Sequence, residues 1–251
     1  MHKFLRRLVS VLFVLSTIVG ITSCLPEPEP IVPFTLAVWT AHKAVDQQLY
    51  FIADDDSTTF VSRTTLAYPD SLLGKRCYVE FTFSTQQKVG YTHVIDVNYI
   101  QYVPMWSMVD IHTESQSDSL GHDPAELALV WVSGNYLNLM YRYYGTGTIK
   151  HSFTLSHNFF IPETSPDSVI NLEFRHNNKD DNAGREYLNV VSYDISDLAA
   201  SRTTDFYLNI KYRTFNLYFN TVKIKVPIAE VKQLAPFYLT PPSRSLSQWG
   251  E

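Results

Sequence analysis

The chain has 251 residues, of which 45% are hydrophobic, 14% aromatic and 18% charged, a balance that excludes a disordered chain and a multispanning membrane protein. A formal net charge of −5 argues against nucleic-acid binding, which needs a basic surface to displace counterions. Two cysteines are too few for a disulfide scaffold or a thiolate metal cluster, and 16 Tyr and 15 Phe against 9 Gly favour strands.

Residues 1–23 read as an export signal. Lys3, Arg6 and Arg7 form a positive start, Leu8 to Leu15 an almost wholly apolar run, and the stretch through Ile21 is short for a span of ~20 residues. Ile21-Thr22-Ser23-Cys24 resembles the lipobox of bacterial lipoproteins, which implies that Cys24 is diacylated through sulfur and becomes the mature N-terminus. The alternative is an ordinary secretory signal with an incidental cysteine. Loss of residues 1–23 leaves 17 Lys+Arg against 25 Asp+Glu, a net charge of −8. Such a body is expected to be repelled by anionic lipid and nucleic acid alike, so acyl chains, at ~0.8 kcal/mol per buried methylene, must hold it at the membrane. Residues 24–33 follow as a tether, kept extended by Pro26, Pro28 and Pro30. Glu27 and Glu29 resemble the acidic export signal of surface-exposed Bacteroidetes lipoproteins. Diluted by prolines, they point first to outer-membrane anchoring and second to cell-surface exposure.

From residue 34 the pattern is short strands with turn punctuation, so the predicted class is all-β. Residues 34–104 hold five predicted strands, at Phe34–Thr40, Gln48–Ala53, Thr58–Val61, Lys75–Thr85 and His93–Val103, the count of a small OB-like barrel. In the fourth, Cys77, Val79, Phe81 and Phe83 share one face and Tyr78, Glu80, Thr82 and Ser84 the other. Asp54-Asp55-Asp56-Ser57 reads as a turn of solvated charges. Residues 105–125 are polar enough to predict a linker. Residues 126–227 hold about seven more strands, at Glu126–Val132, Tyr136–Tyr144, Thr148–His157, Ser168–Arg175, Glu186–Tyr193, Asp205–Arg213 and Tyr218–Val226, which predict an antiparallel β-sandwich, with one helical turn at Asp194–Ala200. Residues 228–251 form a proline-containing tail.

Chemistry-bearing patterns are sparse. Cys77 lies on an apolar strand face and reads as a core thiol. The mature histidines, 42, 93, 112, 122, 151, 157 and 176, show no metal-ligand spacing and are expected as scattered surface or capping residues. Asn178, Asp180 and Asn182 recur as in a calcium loop, but Gly184 falls one place late and Asn189 stands where a bidentate Glu is needed, so a hairpin loop is expected. No nucleophile elbow, P-loop or dinucleotide glycine pattern occurs. No catalytic, metal or cofactor residue is predicted, and Cys24 is the one modification site. Trp39, Tyr50 and Tyr99 could stack bases in an OB-like barrel, yet the charge and the envelope address oppose it.

Asp123-Pro124, Trp131-Val132-Ser133-Gly134-Asn135-Tyr136-Leu137-Asn138 and Leu172-Glu173-Phe174-Arg175-His176-Asn177 together resemble NigD-like proteins of Bacteroidetes. The resemblance implies a lipoprotein with an OB-like N-terminal domain, a C-terminal β-sandwich and a bacteriocin-immunity role; it carries no catalytic residues. The leading reading is therefore a non-enzymatic, lipid-anchored envelope protein with a protein or glycan partner. One alternative is a carbohydrate- or small-ligand-binding lipoprotein using Trp131, Tyr141, Tyr143 and Tyr144. Another is a hydrolase whose His, Asp and Ser residues converge only in space.

Overall fold

The structure, a computed structural model, describes residues 34–64, 68–160, 168–200 and 202–228. The export signal, Cys24, the tether and all of the tail but its first residue lie outside the described residues. Phe34–Glu251 forms one compact unit. No helix among the described residues is long and apolar enough to cross a membrane.

Strands β1 (Thr35–Lys43), β2 (Leu49–Ile52), β3 (Thr59–Ser62), β4 (Arg76–Phe83) and β5 (His93–Tyr102) close a barrel in the order β1-β2-β3-β5-β4. The β3–β5 pairing is parallel, and β1 closes on β4 antiparallel. Alternation points Ala37, Trp39 and Ala41 of β1 and Cys77, Val79 and Phe81 of β4 into the barrel. Trp39 stacks on Phe60 with ring centroids 4.0 Å apart, and Phe51 and Phe81 tilt against it.

The outward faces of β1 and β4 are buried as well. Leu36, Val38 and Tyr78 join Trp131, Met140, Leu188 and Val190 of the C-terminal region in a separate core cluster. The polar face read from β4 is thus covered: Tyr78 is buried and its hydroxyl donates to Glu80 at 3.0 Å, also buried. Period-two alternation assigns a residue to a face but leaves undecided what lies over that face.

The C-terminal region is larger than seven strands, and not wholly antiparallel. One sheet runs β14-β13-β11-β10-β7 and the other β6-β12-β9-β8, built from β6 (Met105–Trp106), β7 (Val109–Ile111), β8 (Glu126–Ser133), β9 (Tyr136–Gly145), β10 (Ser152–Asn158), β11 (Val169–Asn177), β12 (Arg185–Asp194), β13 (Phe206–Arg213) and β14 (Phe219–Val226). Leu139, Leu155, Leu172, Tyr193, Leu208 and Ile210 are among the residues that fill the space between them. The expected linker supplies the two extra strands: β6 pairs parallel with β12, and β7 parallel with β10. Strands of two and three residues carry no period of their own, so only their partners define them. The same segment contains α1 (Glu114–Ser119), started by Thr113, which accepts from the Gln116 N–H while the Gln116 side chain reaches back. Parallel β11–β13 pairing is the third departure from an antiparallel sandwich; α2 (Ser196–Ala200) stands where a helical turn is expected.

Candidate functional site

Three places gather the polar side chains that could carry function. The first is the junction between barrel and sandwich. Arg76, on the outward face of β4, makes a two-bonded pair with Asp54, Nη1 to Oδ1 at 2.5 Å and Nη2 to Oδ2 at 3.0 Å, with both side chains about 5% exposed. Its Nε donates to Ser192 Oγ at 3.2 Å and its Nη2 to Asn138 Oδ1 at 3.3 Å. Ser133 Oγ donates to Asp54 at 2.5 Å, and the Tyr136 ring lies 3.8 Å from the guanidinium carbon. Asp54 is therefore no solvated turn acid: the turn lifts it into the interface, while Asp55 alone caps the turn through the Ser57 and Thr58 N–H groups. Trp131, Ser133, Tyr136 and Asn138, all from the segment that carries the resemblance, sit at this junction. Every bond here ends on another group of the network, so it joins two bodies and leaves no free group for chemistry.

The second place is at the end of the sandwich. The β10–β11 register sets Phe153 opposite His176, and His151, just before β10, reaches the same ring. His151 Nδ1 lies 2.9 Å from His176 Nε2, and His151 Nε2 lies 3.1 Å from Asp181 Oδ2. His176 Nδ1 lies 2.8 Å from the Pro124 carbonyl oxygen. The histidines, expected as scattered, are thus in part a buried pair packed among Tyr143, Phe153 and Phe174. No spacing rule reveals this, because the two histidines meet only through strand register.

A carbonyl only accepts, so His176 Nδ1 donates to Pro124. Burial pushes His176 down to about 4, against which the Pro124 carbonyl works. At the far end the Thr146 backbone N–H foremost, then His151 and the Thr146 hydroxyl, hold the Asp181 carboxyl below the usual range. Both Thr146 donors lie 2.9 Å from Oδ2. The loop carrying Asp181 packs so closely on the Gly145 turn that a Cβ at Gly184 would stand 1.9 Å from the Gly145 carbonyl oxygen, at a φ of +118°. A His–Asp pair of this kind orients a base in many hydrolases, but here the remaining His151 nitrogen is taken by His176.

The third place is the barrel's loop end. A hollow of about 520 Å³ is lined by Ser84 to Val94, the β4–β5 connection. Lys88 ties this loop to the β1–β2 loop, with Nζ 2.8 Å from Asp46 and bonded also to Gln48. At the two loop tips Val45 and Val89 are fully exposed. His42, Tyr50 and Tyr91 form a run of rings beside them.

The remaining sequence candidates fall elsewhere. Cys24 lies outside the described residues. Cys77 is buried, and burial pushes its thiol up to about 12, which makes it inert. In the 178–184 loop, Asn178 Nδ2 donates to Asn182 Oδ1 at 2.6 Å and Asn178 Oδ1 accepts from the Asp180 N–H at 3.0 Å while Asp181 turns inward, so these oxygens face N–H groups of the loop and not a common centre. Among the described residues no group of three His, Cys, Asp or Glu is placed to hold a metal ion. Trp39 is core, Tyr50 lies at the loop end and Tyr99 packs on Tyr78. Trp131 and Tyr141 are buried, Tyr143 packs on His151, and Tyr144 alone of these four rings is exposed, so they form no glycan platform.

Comparison with known proteins adds a family. A NigD-like C-terminal beta sandwich domain matches residues 107–226. A search of curated proteins returns no match. Among solved structures, a Bacteroides vulgatus protein of unknown function is 21% identical, with 81% of this chain and 95% of that chain covered and a TM-score of 0.64. A NigD-like immunity protein from Bacteroides caccae is 17% identical, with 85% and 99% covered and a TM-score of 0.54. A lipoprotein candidate from Bacteroides fragilis is 12% identical, with 78% and 98% covered and a TM-score of 0.53. At such identities the likeness is one of fold. The match from residue 107 to 226 runs from just before β7 to the end of β14, so most of the two-sheet region is similar to the C-terminal β-sandwich domain of NigD-like proteins.

Proposed function

We propose that the chain is a lipid-anchored, non-enzymatic binding protein of the cell envelope, held at the outer membrane by acyl chains on Cys24 and engaging a protein or glycan partner with the loop end of its OB-like barrel. The observation that carries this reading is the contrast between the polar groups of the barrel–sandwich junction, which are spent on one another, and the loop end, where Val45 and Val89 are wholly exposed and Val89 lines the 520 Å³ hollow. The fold shared with a NigD-like immunity protein supports protection against a bacteriocin as the specific task. No cofactor or metal enters this reading.

Mass spectrometry of the protein from its own membrane should give a mature chain that starts at a diacylated Cys24; an unprocessed or unmodified start overturns the anchor. Cross-linking on intact cells should give one recurrent partner with the native chain and none with Val45→Asp plus Val89→Asp. The same partner with both chains moves the binding site elsewhere. Deleting the gene should raise sensitivity to competitor toxins; unchanged sensitivity removes the immunity task and leaves the binding reading in place.

A further inference from the structure

The charge of the chain is negative overall but not evenly spread. On the outer face of the sheet that ends in β14, register sets Lys225 beside Tyr207, Lys223 beside Asn209, Thr221 beside Lys211 and Phe219 beside Arg213. Lys211, Lys223 and Lys225 are exposed. Their acidic neighbours are few: Asp205 lies 2.6 Å from Lys225, and Glu173 lies 3.9 Å from Lys211 but is shared with Arg175. Asp123, at the edge of this face, accepts from the Asn178 N–H. Arg213 bonds only neutral oxygens in these contacts, the carbonyls of His122 at 2.8 Å and Leu217 at 3.3 Å, so its charge is not cancelled there. Lys211 and Lys223 each stand 4.5 Å from an aromatic ring centre, Phe219 and Tyr207. A chain with net charge −5 thus presents one face on which, among the described residues, cations outnumber acids.

The hairpin joining β13 to β14 projects from the end of this face. Leu217, Tyr218 and Phe219 are 58%, 77% and 53% exposed, three large apolar residues in succession. The turn closes through the Leu217 N–H on Thr214 and the Thr214 N–H on Tyr218, and it holds Leu217 at a φ of +67°, where glycine is the relaxed residue. The crevice between tip and sheet is about 10 Å³, room for one water and not for a side chain or sugar. A convex apolar tip with rings at its edge, next to a cationic strip, matches the chemistry of a bilayer interface, where rings sit at headgroup level and cations meet phosphates.

We propose that Leu217, Tyr218 and Phe219, together with Lys211, Arg213, Lys223 and Lys225, form a surface that lies on an anionic lipid bilayer. This departs from the expectation, drawn from net charge, that the body is repelled by such lipid. The contact is independent of acylation at Cys24, so it is tested on residues 34–251, the compact unit that contains all three cores. In flotation with vesicles this unit should bind phosphatidylcholine containing phosphatidylglycerol at least tenfold more tightly than phosphatidylcholine alone, and binding should weaken with salt. Leu217→Gly with Tyr218→Ser should lose about tenfold while keeping the fold, since glycine suits the turn; Lys211→Gln with Lys223→Gln should lose a similar factor and flatten the salt dependence. Vesicles should also slow amide exchange at residues 214–220. Equal binding to both vesicle types, no binding, variants that bind as the parent does, or binding to soluble polyglutamate in place of vesicles would each overturn the proposal, the last by giving the face to an acidic macromolecule.

Discussion

Two of the buried polar networks among the described residues differ in what their charge depends on. The barrel–sandwich junction is built on Arg76, whose guanidinium is charged at every accessible pH and whose donors meet Asp54, Ser192 and Asn138. The sandwich end is built on His151 and His176, which meet each other, Asp181 and the Pro124 carbonyl. The first is a permanent rivet and the second a conditional one. Arg76 keeps its charge at every accessible pH, whereas a buried imidazole that takes up a proton loses its place in the network.

The largest expected effect breaks the rivet. Arg76→Ala leaves Asp54 buried without its partner, and thermal or denaturant unfolding should show a loss of about 3–5 kcal/mol. A change under 1 kcal/mol would mean that the junction is not formed as described. The second effect belongs to the conditional network. Unfolded, His176 titrates near 6.5; folded, burial holds it at about 4, so below 6.5 the unfolded chain takes up a proton that the folded chain refuses. Stability is therefore full above pH 6.5 and falls as pH drops toward 4, by about 3 kcal/mol in all. His176→Leu should lose the part of this slope above pH 5, and an unchanged slope would place its origin in other groups.

Smaller again is Asp181→Asn, which removes the carboxylate facing His151 and should cost about 1–3 kcal/mol. Nitrogen NMR sharpens the comparison: His176 should carry its proton on Nδ1, the atom that faces the Pro124 carbonyl, and a native ring protonated on Nε2 alone would refute that assignment. The smallest effect is a gain. Leu217→Gly relieves a leucine in the left-handed region and should stabilise by about 1 kcal/mol or less, whereas a loss would show that the side chain packs against its own sheet.

Much of the architecture was legible. Alternation in β1 and β4 marks Trp39, Cys77, Val79 and Phe81 as one face, and they do fill the barrel. The segments 131–138 and 172–177 carried the family resemblance, and residues 107–226 bear it out. What was missed has one character. Met105-Trp106 and Val109–Ile111 are too short to show a period, and exist as strands only because β12 and β10 lie beside them. Asp54 looks like its neighbours Asp55 and Asp56, yet it alone meets Arg76. His151 and His176 are brought together by the β10–β11 register and nothing nearer.

By itself the amino-acid order determined the all-β class and the faces of its longer strands, because these depend on local composition and on a two-residue period. Tertiary structure alone decided that the outside of the barrel is a second interior, that a turn aspartate is an ion-pair partner, that two distant imidazoles meet, and that the described residues of one sheet face carry a surplus of cations. Each of these follows from which strand lies beside which, and the free energy of that pairing comes from contacts between residues tens of positions apart.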